Sequence, residues 1–340
     1  MKKTLIIAEA GVNHNGSYEF AKKLIEIAAD AGADFVKFQT FKADKIVNKS
    51  AKKADYQIAN TNEHDDSQYA MLKDLEMPSQ WYPNLIEYSK AKGISFLSTG
   101  FDEDSIDFLD ELGIPFFKIP SGEITNRLYL QHIALKKKPV IISTGMASME
   151  EIEDALKIFY EAGYPKKDIT VLHCNTEYPT PFSDVNLLAM KNIRELLEVR
   201  VGYSDHTEGI EVPIAAVALG AEVIEKHFTI DKSMPGPDHK ASLEPVELKN
   251  MVSAIRNIEQ AMAGSGNKEP SVSEKKNIKV IRKSLHFSKS LTKGSVISKN
   301  DLVALRPGDG ISPMKIDDVI GKTLQQDVKA FQLVDLIFFQ

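Results

Sequence analysis

Short apolar, β-rich runs alternate with longer stretches of helical periodicity over the first 263 residues. This alternation is typical of parallel βα units, in which each strand is buried on both faces and the following helix covers it with one face. Eight βα units favour a (β/α)8 barrel of the α/β class over an open doubly wound sheet. The eight strand-like runs are Leu5 to Ala8, Phe35 to Phe38, Ser95 to Thr99, Phe116 to Ile119, Val140 to Ser143, Ile169 to His173, Val201 to Tyr203 and Val223 to His227.

Helical periodicity fills most of the intervals between these runs, and one interval departs from it. The segment from Lys42 to Met77 is long, polar and weakly periodic, which predicts an excursion over the barrel mouth rather than a regular loop. The helical stretches are Tyr18 to Ala31, Glu103 to Leu112, Met149 to Ala162, Leu187 to Leu197, Pro213 to Leu219 and Pro245 to Met262.

The chain changes character after Ala263, where GSGNKEPSVSEKKN reads as a linker rich in glycine, serine and charge. We therefore expect a barrel over residues 1–263, a linker over 264–283 and a small, mostly β domain over 284–340. The turn RPGDG places Arg306 in a glycine-rich loop of that domain. Its β-like runs are Leu285 to Phe287, Val296, Leu302 to Leu305 and Leu333 to Phe339.

Composition narrows the class of protein. The 340 residues are 43% hydrophobic and 26% charged, which is typical of a globular chain. A net charge of −6 argues against nucleic-acid binding, which needs clustered Lys and Arg. No apolar run approaches the roughly 20 residues of a membrane span, and the one near the start meets Glu9 too early for a signal peptide. With Cys174 as the only cysteine, we expect a cytoplasmic protein.

Polar residues follow each predicted strand, and in a barrel the carboxyl ends of the strands share one face. His206 and His227 follow neighbouring strands, where two neutral imidazoles would bind a divalent ion and leave open positions. A single histidine more often hydrogen-bonds at the rim, but the pairing favours a metal site. We expect Asp205 and Glu225 to point to the opposite side of their strands. Asp238 is placed to orient a ligand or a water on the metal.

The other strand ends supply groups suited to an anion. Lys37 and Lys118 would bind a phosphate or carboxylate, although a buried lysine would also serve as a Schiff-base nucleophile. Glu123 would act as an acid or base, or it would simply favour the start of a helix. Hydroxyl donors at the same face are Ser121, Ser143, Thr144 and Ser204.

Two further sites contain reactive side chains that also have purely structural interpretations. His14, in GVNHNG, would contact substrate or order a glycine-rich turn. His173 and Cys174 are adjacent in a strand and so face opposite sides, which disfavours a nucleophile and base pair. We expect Cys174 to pack in the core.

The motifs, taken together, are specific. The chain contains AEAGVNHNG, KFQTFKADK, KIPSGE, ISTGM, LHCNTEYPTPF, GYSDHT, EKHFT, GPDH and RPGDGISP in this order. Over nearly its whole length it resembles the sialic acid (N-acetylneuraminate) synthase family, which includes legionaminic acid synthases. The resemblance implies a transferase that condenses phosphoenolpyruvate with an N-acylated mannosamine-type sugar and water to a nine-carbon ulosonic acid and phosphate. It also implies an antifreeze-like (SAF) carboxy-terminal domain and a domain-swapped homodimer.

The resemblance also assigns roles to residues. It implies that His206 and His227 bind a divalent metal, usually Mn²⁺, that Glu9 and Glu123 are the carboxylates near the reacting centre, and that Arg306 reaches the site of the other subunit. This sequence has STGF at Ser98 to Phe101 where the family has STPF, and Thr176 where some members have a phosphate-contacting Asn. The implied phosphoenolpyruvate-binding residues are Lys37, Thr99, Lys118, Ser121, Ser143, Thr176 and Ser204, and the implied sugar-binding residues are Gln39, Tyr178, Asp238 and Arg306.

The acceptor sugar is left open by these motifs. N-acetylmannosamine is the first expectation, and 2,4-diacetamido-2,4,6-trideoxymannose, which differs at C4 and C6, is the alternative. A related enzyme acting on arabinose 5-phosphate or erythrose 4-phosphate is disfavoured by the appended β domain. A sugar-binding barrel without turnover is disfavoured by the presence of both histidines, both lysines and Glu123.

Overall fold

The computed structural model describes residues 3–54, 57, 58, 60 and 66–340. The chain forms two compact units, Met1–Ala263 and Gly264–Gln340. Among the described residues, no helix is both long enough and apolar enough to cross a bilayer.

The first unit is built on an eight-stranded parallel sheet in the order β3-β2-β1-β8-β7-β6-β5-β4, with β3 and β4 also packed together. The predicted (β/α)8 barrel is therefore confirmed. Its strands are β1 Leu5–Gly11, β2 Phe35–Thr40, β3 Ser95–Gly100, β4 Phe117–Ile119, β5 Val140–Ser143, β6 Ile169–Cys174, β7 Arg200–Asp205 and β8 Val223–His227.

Helices surround the strands, and those predicted from periodicity are found to within two residues at each end. Local signals explain several boundaries: Ser17 caps α1 and Gly32 ends it in the left-handed region, while Ser148 and Glu151 form a capping box on α7. The helices are α1 Tyr18–Ala31, α2 Ala43–Ile46, α3 Gln68–Leu75, α4 Tyr82–Ala91, α5 Glu103–Glu111, α6 Arg127–Leu135, α7 Met149–Glu161, α8 Ala189–Leu197, α9 Glu211–Ala218 and α10 Pro245–Ala261.

The predicted excursion after β2 contains α2 and α3. Their residues line the cavity at the carboxyl ends of the strands, as expected for a segment over the barrel mouth. Part of this segment lies outside the described residues.

The second unit pairs β9 Ser284–Phe287 with β10 Leu302–Leu305 in antiparallel register around a small core that includes Leu285, Phe287 and Val334. Part of the predicted linker is helical, since α11 spans Val272–Ile281 behind a Ser271 and Glu274 capping box. The S-x-x-E pattern of Ser271 and Glu274 is a signal for this helix start, whereas the polar composition of the segment favours a linker.

The prediction of a strand over Leu333 to Phe339 is wrong in its middle. Leu333 and Phe339 each make only an isolated bridge, and Leu336–Phe338 is a 3₁₀ turn. The cause is Asp335. Its carboxylate accepts the Ile337 N–H at 3.1 Å, so this N–H bonds within a local turn and not to a neighbouring strand.

The close approach of β7 and β8 depends on a residue without a side chain. An ideal Cβ at Gly202 would lie 2.3 Å from the Val223 carbonyl oxygen and 2.6 Å from Leu172 Cδ2. Any larger residue would therefore push β7 away from both neighbouring strands. The same two strands carry His206 and His227 at their carboxyl ends, so their spacing sets the spacing of the histidines.

We predict that Gly202→Ala lowers the free energy of unfolding by about 1–3 kcal/mol, the usual range for overpacking a core. Urea denaturation followed by circular dichroism would measure it. Gly264→Ala is the matched control, because nothing lies within 4 Å of its Cβ position. Equal stability of the two variants would contradict the packing argument.

Candidate active site

A cavity of about 380 Å³ opens at the carboxyl ends of the barrel strands. The residues of the first unit to which the resemblance assigns roles all line it, and they come from all eight strands or the loops that follow them. They are Glu9, Lys37, Gln39, Thr99, Lys118, Ser121, Glu123, Ser143, Thr176, Tyr178, Ser204, His206, His227 and Asp238.

Two lysines form the floor of this cavity, and both are almost fully buried, with Lys37 4% and Lys118 3% exposed. Lys37 Nζ donates to Thr99 Oγ1 at 2.9 Å and forms an ion pair with Glu9. Lys118 Nζ donates to Ser143 Oγ at 2.7 Å. Each lysine is thus held by a hydroxyl group from the next strand along the sheet.

Glu225 joins the two lysines. Its Oε2 lies 3.5 Å from Lys37 Nζ, its Oε1 lies 3.4 Å from Lys118 Nζ, and Oε1 also accepts from Ser204 Oγ at 2.9 Å. The prediction that Glu225 points away from the site is wrong. Glu225 and His227 are two residues apart on β8, so the alternation of a strand puts them on the same face. That spacing is the signal that would have found Glu225.

Lys37, Lys118, Glu9 and Glu225 form a cluster in which the two carboxyl groups differ in charge. Burial opposes ionisation of Glu225, but Lys118 and Lys37 outweigh it and lower its pKa to about 2. Burial raises the pKa of Glu9 to about 7, only partly offset by Lys37. One carboxylate is therefore fully ionised at neutral pH and the other holds a proton for part of the time. With both amino groups protonated, the cluster has an excess of positive charge that suits an anion.

Burial also acts on the lysines themselves. It is the main reason that the pKa of Lys118 lies below its ordinary value. Burial pulls the pKa of Lys37 in the same direction, but Glu225 and Glu9 outweigh it and hold that pKa above its ordinary value. Lys37 is thus the more firmly protonated of the two.

The two predicted metal ligands lie side by side, with ring centroids 5.4 Å apart. Tyr178 stacks on His206 at 4.0 Å and meets His227 edge-on at 5.6 Å. His206 donates its Nδ1 proton to the Asn175 carbonyl oxygen, which leaves the lone pair on Nε2. Burial lowers the pKa of His206 to about 4 and that of His227 well below its ordinary value, so both rings are neutral.

These imidazoles fit a divalent cation. The Nδ1 atom of His227 is buried and has no hydrogen-bond partner among the described residues, and Asp238 Oδ2 lies 3.9 Å from it. The part of the chain that the structure describes contains no group of three His, Cys, Asp or Glu side chains able to hold a metal. The pair would therefore supply two ligands and leave the remaining positions to water or substrate oxygen.

Gly11 brings one carboxyl group next to this pair. An ideal Cβ at Gly11 would lie 3.3 Å from Glu9 Oε1 and 3.4 Å from His227 Cε1, so both atoms border the space that a side chain would fill. Gly11 also has a φ of +52°, which favours glycine. Glu9 is thereby placed between the lysine floor and the histidines.

Beneath the histidines, Lys226 and Asp205 form an ion pair at 2.5 Å with both side chains 0% exposed. Lys226 also donates to the Thr207 carbonyl oxygen, and Asp205 accepts from the Thr207 backbone and hydroxyl. The expectation that Asp205 points away from the cavity is met. The pair lies next to both histidines in sequence and ties β7 to β8.

Other predicted residues differ in their placement. Glu123, at the cavity rim, accepts from Asn126 Nδ2 at 2.7 Å. Thr144 donates to the Leu172 carbonyl oxygen at 2.9 Å and is absent from the cavity lining. Cys174 lines the cavity 3.2 Å from Ser121 Oγ, so it does more than pack in the core. His173 faces the other side and donates to the Val185 carbonyl oxygen.

Arg306 belongs to the second unit. Its side chain is exposed and its Nε donates to the Ile281 carbonyl oxygen at 3.0 Å. Its role toward another subunit stays a prediction.

The cavity has the residues that the sequence motifs implied, and comparison with known proteins defines the family. The NeuB family model matches residues 24–268, and the SAF domain model matches residues 282–334. The chain belongs to the NeuB family. The resemblance drawn from the motifs is thereby confirmed, as is the SAF domain.

Three relatives of this NeuB-family protein are informative. The N,N'-diacetyllegionaminic acid synthase of Campylobacter jejuni is 54% identical over 98% of this chain and 99% of its own. That of Legionella pneumophila is 51% identical over 96% of this chain and 91% of its own. The crystal structure of N-acetylneuraminic acid (sialic acid) synthetase from Leptospira borgpetersenii is 36% identical, with a TM-score of 0.70 over 82% of this chain and 90% of that one.

The departure from the family motif at Gly100 has a steric reason in this NeuB-family chain. An ideal Cβ there would lie 2.9 Å from Ile106 Cδ1 and 3.2 Å from the Ile106 nitrogen. The start of α5 therefore packs directly on the end of β3. Thr176 is similarly close-packed, since its Cγ2 lies 2.5 Å from the Cβ position of Gly145.

His14 proves to be structural. It is 0% exposed, its Nδ1 accepts the Gly16 N–H at 3.1 Å, and its ring packs near Trp81 and Phe38. It is not part of the cavity lining. Of the two interpretations of this residue, the ordered glycine-rich turn is the one that the geometry supports.

We predict that Lys226→Met destabilises the protein by about 3–5 kcal/mol, because it leaves the Asp205 carboxylate buried without a counter-ion. Chemical denaturation would measure this, and adding Asp205→Asn should restore part of the loss. Lys191→Met is the control: Lys191 pairs with Glu195 at 3.6 Å on the exposed face of α8, and its loss should have no measurable effect. A Lys226→Met protein as stable as wild type would contradict this role.

We predict that His14 makes the protein less stable in acid. Burial lowers its pKa from 6.5 to about 4, so its contribution is complete above pH 6.5 and is lost as the pH falls toward 4. Between pH 7.5 and pH 5 the loss from this residue is about 2 kcal/mol. Denaturation of wild type and His14→Gln at both pH values would test it. The variant should lose less stability than wild type, and an equal loss would refute the assignment.

Proposed function

We propose that this NeuB-family protein condenses phosphoenolpyruvate with 2,4-diacetamido-2,4,6-trideoxymannose and water to give N,N'-diacetyllegionaminate and phosphate. The observation that carries the reaction class is the floor of Lys37, Lys118 and Glu225 in the same cavity as two neutral imidazoles. The identities of 54% and 51% to legionaminic acid synthases, against 36% to a sialic acid synthetase, favour this acceptor over N-acetylmannosamine.

The lysine floor binds phosphoenolpyruvate in this proposal. Its phosphate and carboxylate groups compensate the excess positive charge, and hydroxyl groups complete the contacts from neighbouring strand ends. Lys37 and Lys118 are already fixed by Thr99 and Ser143, so little side-chain entropy is lost on binding. The hydroxyl donors are Thr99, Ser121, Ser143, Thr176 and Ser204.

His206 and His227 hold a divalent metal, for which we propose Mn²⁺. When bound, the metal polarises the aldehyde of the open-chain sugar as a Lewis acid. Asp238, Gln39 and Tyr178 also line the cavity and orient the acceptor.

The chain's own residues manage the protons. C3 of phosphoenolpyruvate forms a bond to the aldehyde carbon, whose oxygen takes up a proton. Glu9, with a pKa of about 7, is able to provide that proton at neutral pH. Water adds to the cation at C2 and gives up a proton, and cleavage of the bond between C2 and oxygen releases phosphate. Glu123, at the rim, is the second carboxylate available for the proton from water.

Three further expectations complete the proposal. The protein works as a domain-swapped homodimer, Arg306 contributes to the site of the other subunit, and the enzyme is cytoplasmic. The exposed position of the Arg306 side chain is compatible with a contact outside its own unit.

We predict that phosphate release requires phosphoenolpyruvate, the trideoxy sugar and Mn²⁺ together. The assay is a colorimetric phosphate measurement on metal-depleted and reloaded protein, with N-acetylmannosamine as the second acceptor. His227→Ala should reduce the rate at least about 100-fold, since a Lewis acid contributes several kcal/mol. His173→Ala, which removes a histidine on the other side of β6, is the control and should keep its activity. Absence of phosphate release with either sugar would overturn the proposed function.

A further inference from the structure

One side of the cavity is mostly apolar. Ile46, Val47 and Leu72, from the connection between β2 and β3, line it and are only half-buried. We call these three residues the apolar wall. Met71 and Leu75, which line the same side, are buried in a small cluster with Val12 and Phe41, and Ile46 and Leu72 pack against this cluster. The wall is therefore a supported surface and not a set of loose side chains.

The wall and the lysine floor belong to different elements, the floor to strands and the wall to the connection that follows β2. Lys37 and Lys118 are within β2 and β4, and His227 is the last residue of β8. The wall residues belong to α2, its carboxyl end and α3, which the chain reaches only after β2 has ended. A substrate with its reactive carbon at the floor and the histidines must therefore extend its far end toward the mouth, where the wall begins.

The far end of the acceptor is where the two candidate sugars differ. The trideoxy sugar has a methyl group at C6 and an acetamido group at C4, whereas N-acetylmannosamine has hydroxyl groups at both positions. An apolar surface favours a methyl group and leaves a hydroxyl group without a hydrogen-bond partner.

We propose that the apolar wall is the specificity determinant for the acceptor, and that it receives the C6 methyl group of a 6-deoxy sugar. The proposal rests on the proposed function and adds to it the part of the chain that selects the substrate. Gln68, which also lines this side of the cavity, supplies an amide able to pair with the acetamido group at C4. The strand-end residues would then serve either sugar equally.

The expected preference for one sugar over the other follows from the groups that differ between them. One methyl or methylene group in an apolar pocket changes kcat/KM by about 10 to 200-fold, and an added hydroxyl group is rejected by about 100-fold. We therefore expect wild-type protein to prefer the trideoxy sugar by a factor in this range, chiefly through KM for the acceptor.

The test is Leu72→Asn, which keeps the approximate size of the side chain but makes that part of the wall polar. Leu72 is half-buried and lies on the cavity side of α3, so the variant is expected to fold. Leu112→Asn is the matched control, because Leu112 is also a half-buried leucine but precedes β4, at the amino ends of the strands. Val47→Thr adds a hydroxyl group at constant volume and repeats the test if Leu72→Asn is poorly folded.

We predict that Leu72→Asn lowers kcat/KM for the trideoxy sugar about 10 to 100-fold, changes that for N-acetylmannosamine by less than about threefold, and leaves KM for phosphoenolpyruvate unchanged. Leu112→Asn should keep the wild-type ratio between the sugars. An unchanged ratio in both Leu72→Asn and Val47→Thr, or a wild-type preference for N-acetylmannosamine, would overturn the role of the wall. Those results still include phosphate release, so they differ from failure of the proposed function, in which wild type uses neither sugar.

Discussion

The contact of Glu225 with Lys37 and Lys118 is the constraint on which the site depends. Two lysines cannot be buried side by side in a barrel without a counter-ion, because the cost of desolvating each charge is several kcal/mol. Glu225 supplies that counter-ion to both, and Ser204 fixes its orientation. The arrangement places the cations where an anionic substrate can reach them while the empty cavity remains stable.

Glu9 lies close to this contact but differs from Glu225 in charge. Burial raises the pKa of Glu9 to about 7 against the opposing effect of Lys37, and the ionised Glu225 nearby adds to the rise. Two carboxyl groups of the same chemistry thus differ in charge near neutral pH. One is a permanent counter-ion, and the other is able to exchange a proton.

The barrel was predictable because its strands and helices are strongly periodic. Since the carboxyl ends of the strands of a barrel lie on one face, the site residues could then be placed together. The prediction for Glu225 is wrong because Glu225 and His227 are two positions apart on β8 and therefore lie on the same face of the strand. The sequence also did not reveal the turn at Asp335, where a side-chain hydrogen bond replaces a strand. Charge states such as those of Glu9 and Glu225 depend on burial and on contacts between distant strands, which no local pattern contains.

In this proposal, the reaction and the selection of the acceptor depend on different parts of the chain. The groups that would act on phosphoenolpyruvate and the aldehyde are fixed by strands, whose register is set by backbone hydrogen bonds and by tight contacts such as that at Gly202. The apolar wall lies on short helices of the β2–β3 connection, which is outside the parallel sheet. A change of side chain there alters the surface that meets the far end of the acceptor without moving the lysines, Glu225 or the histidines. A barrel of this kind can therefore change its acceptor while it keeps its chemistry.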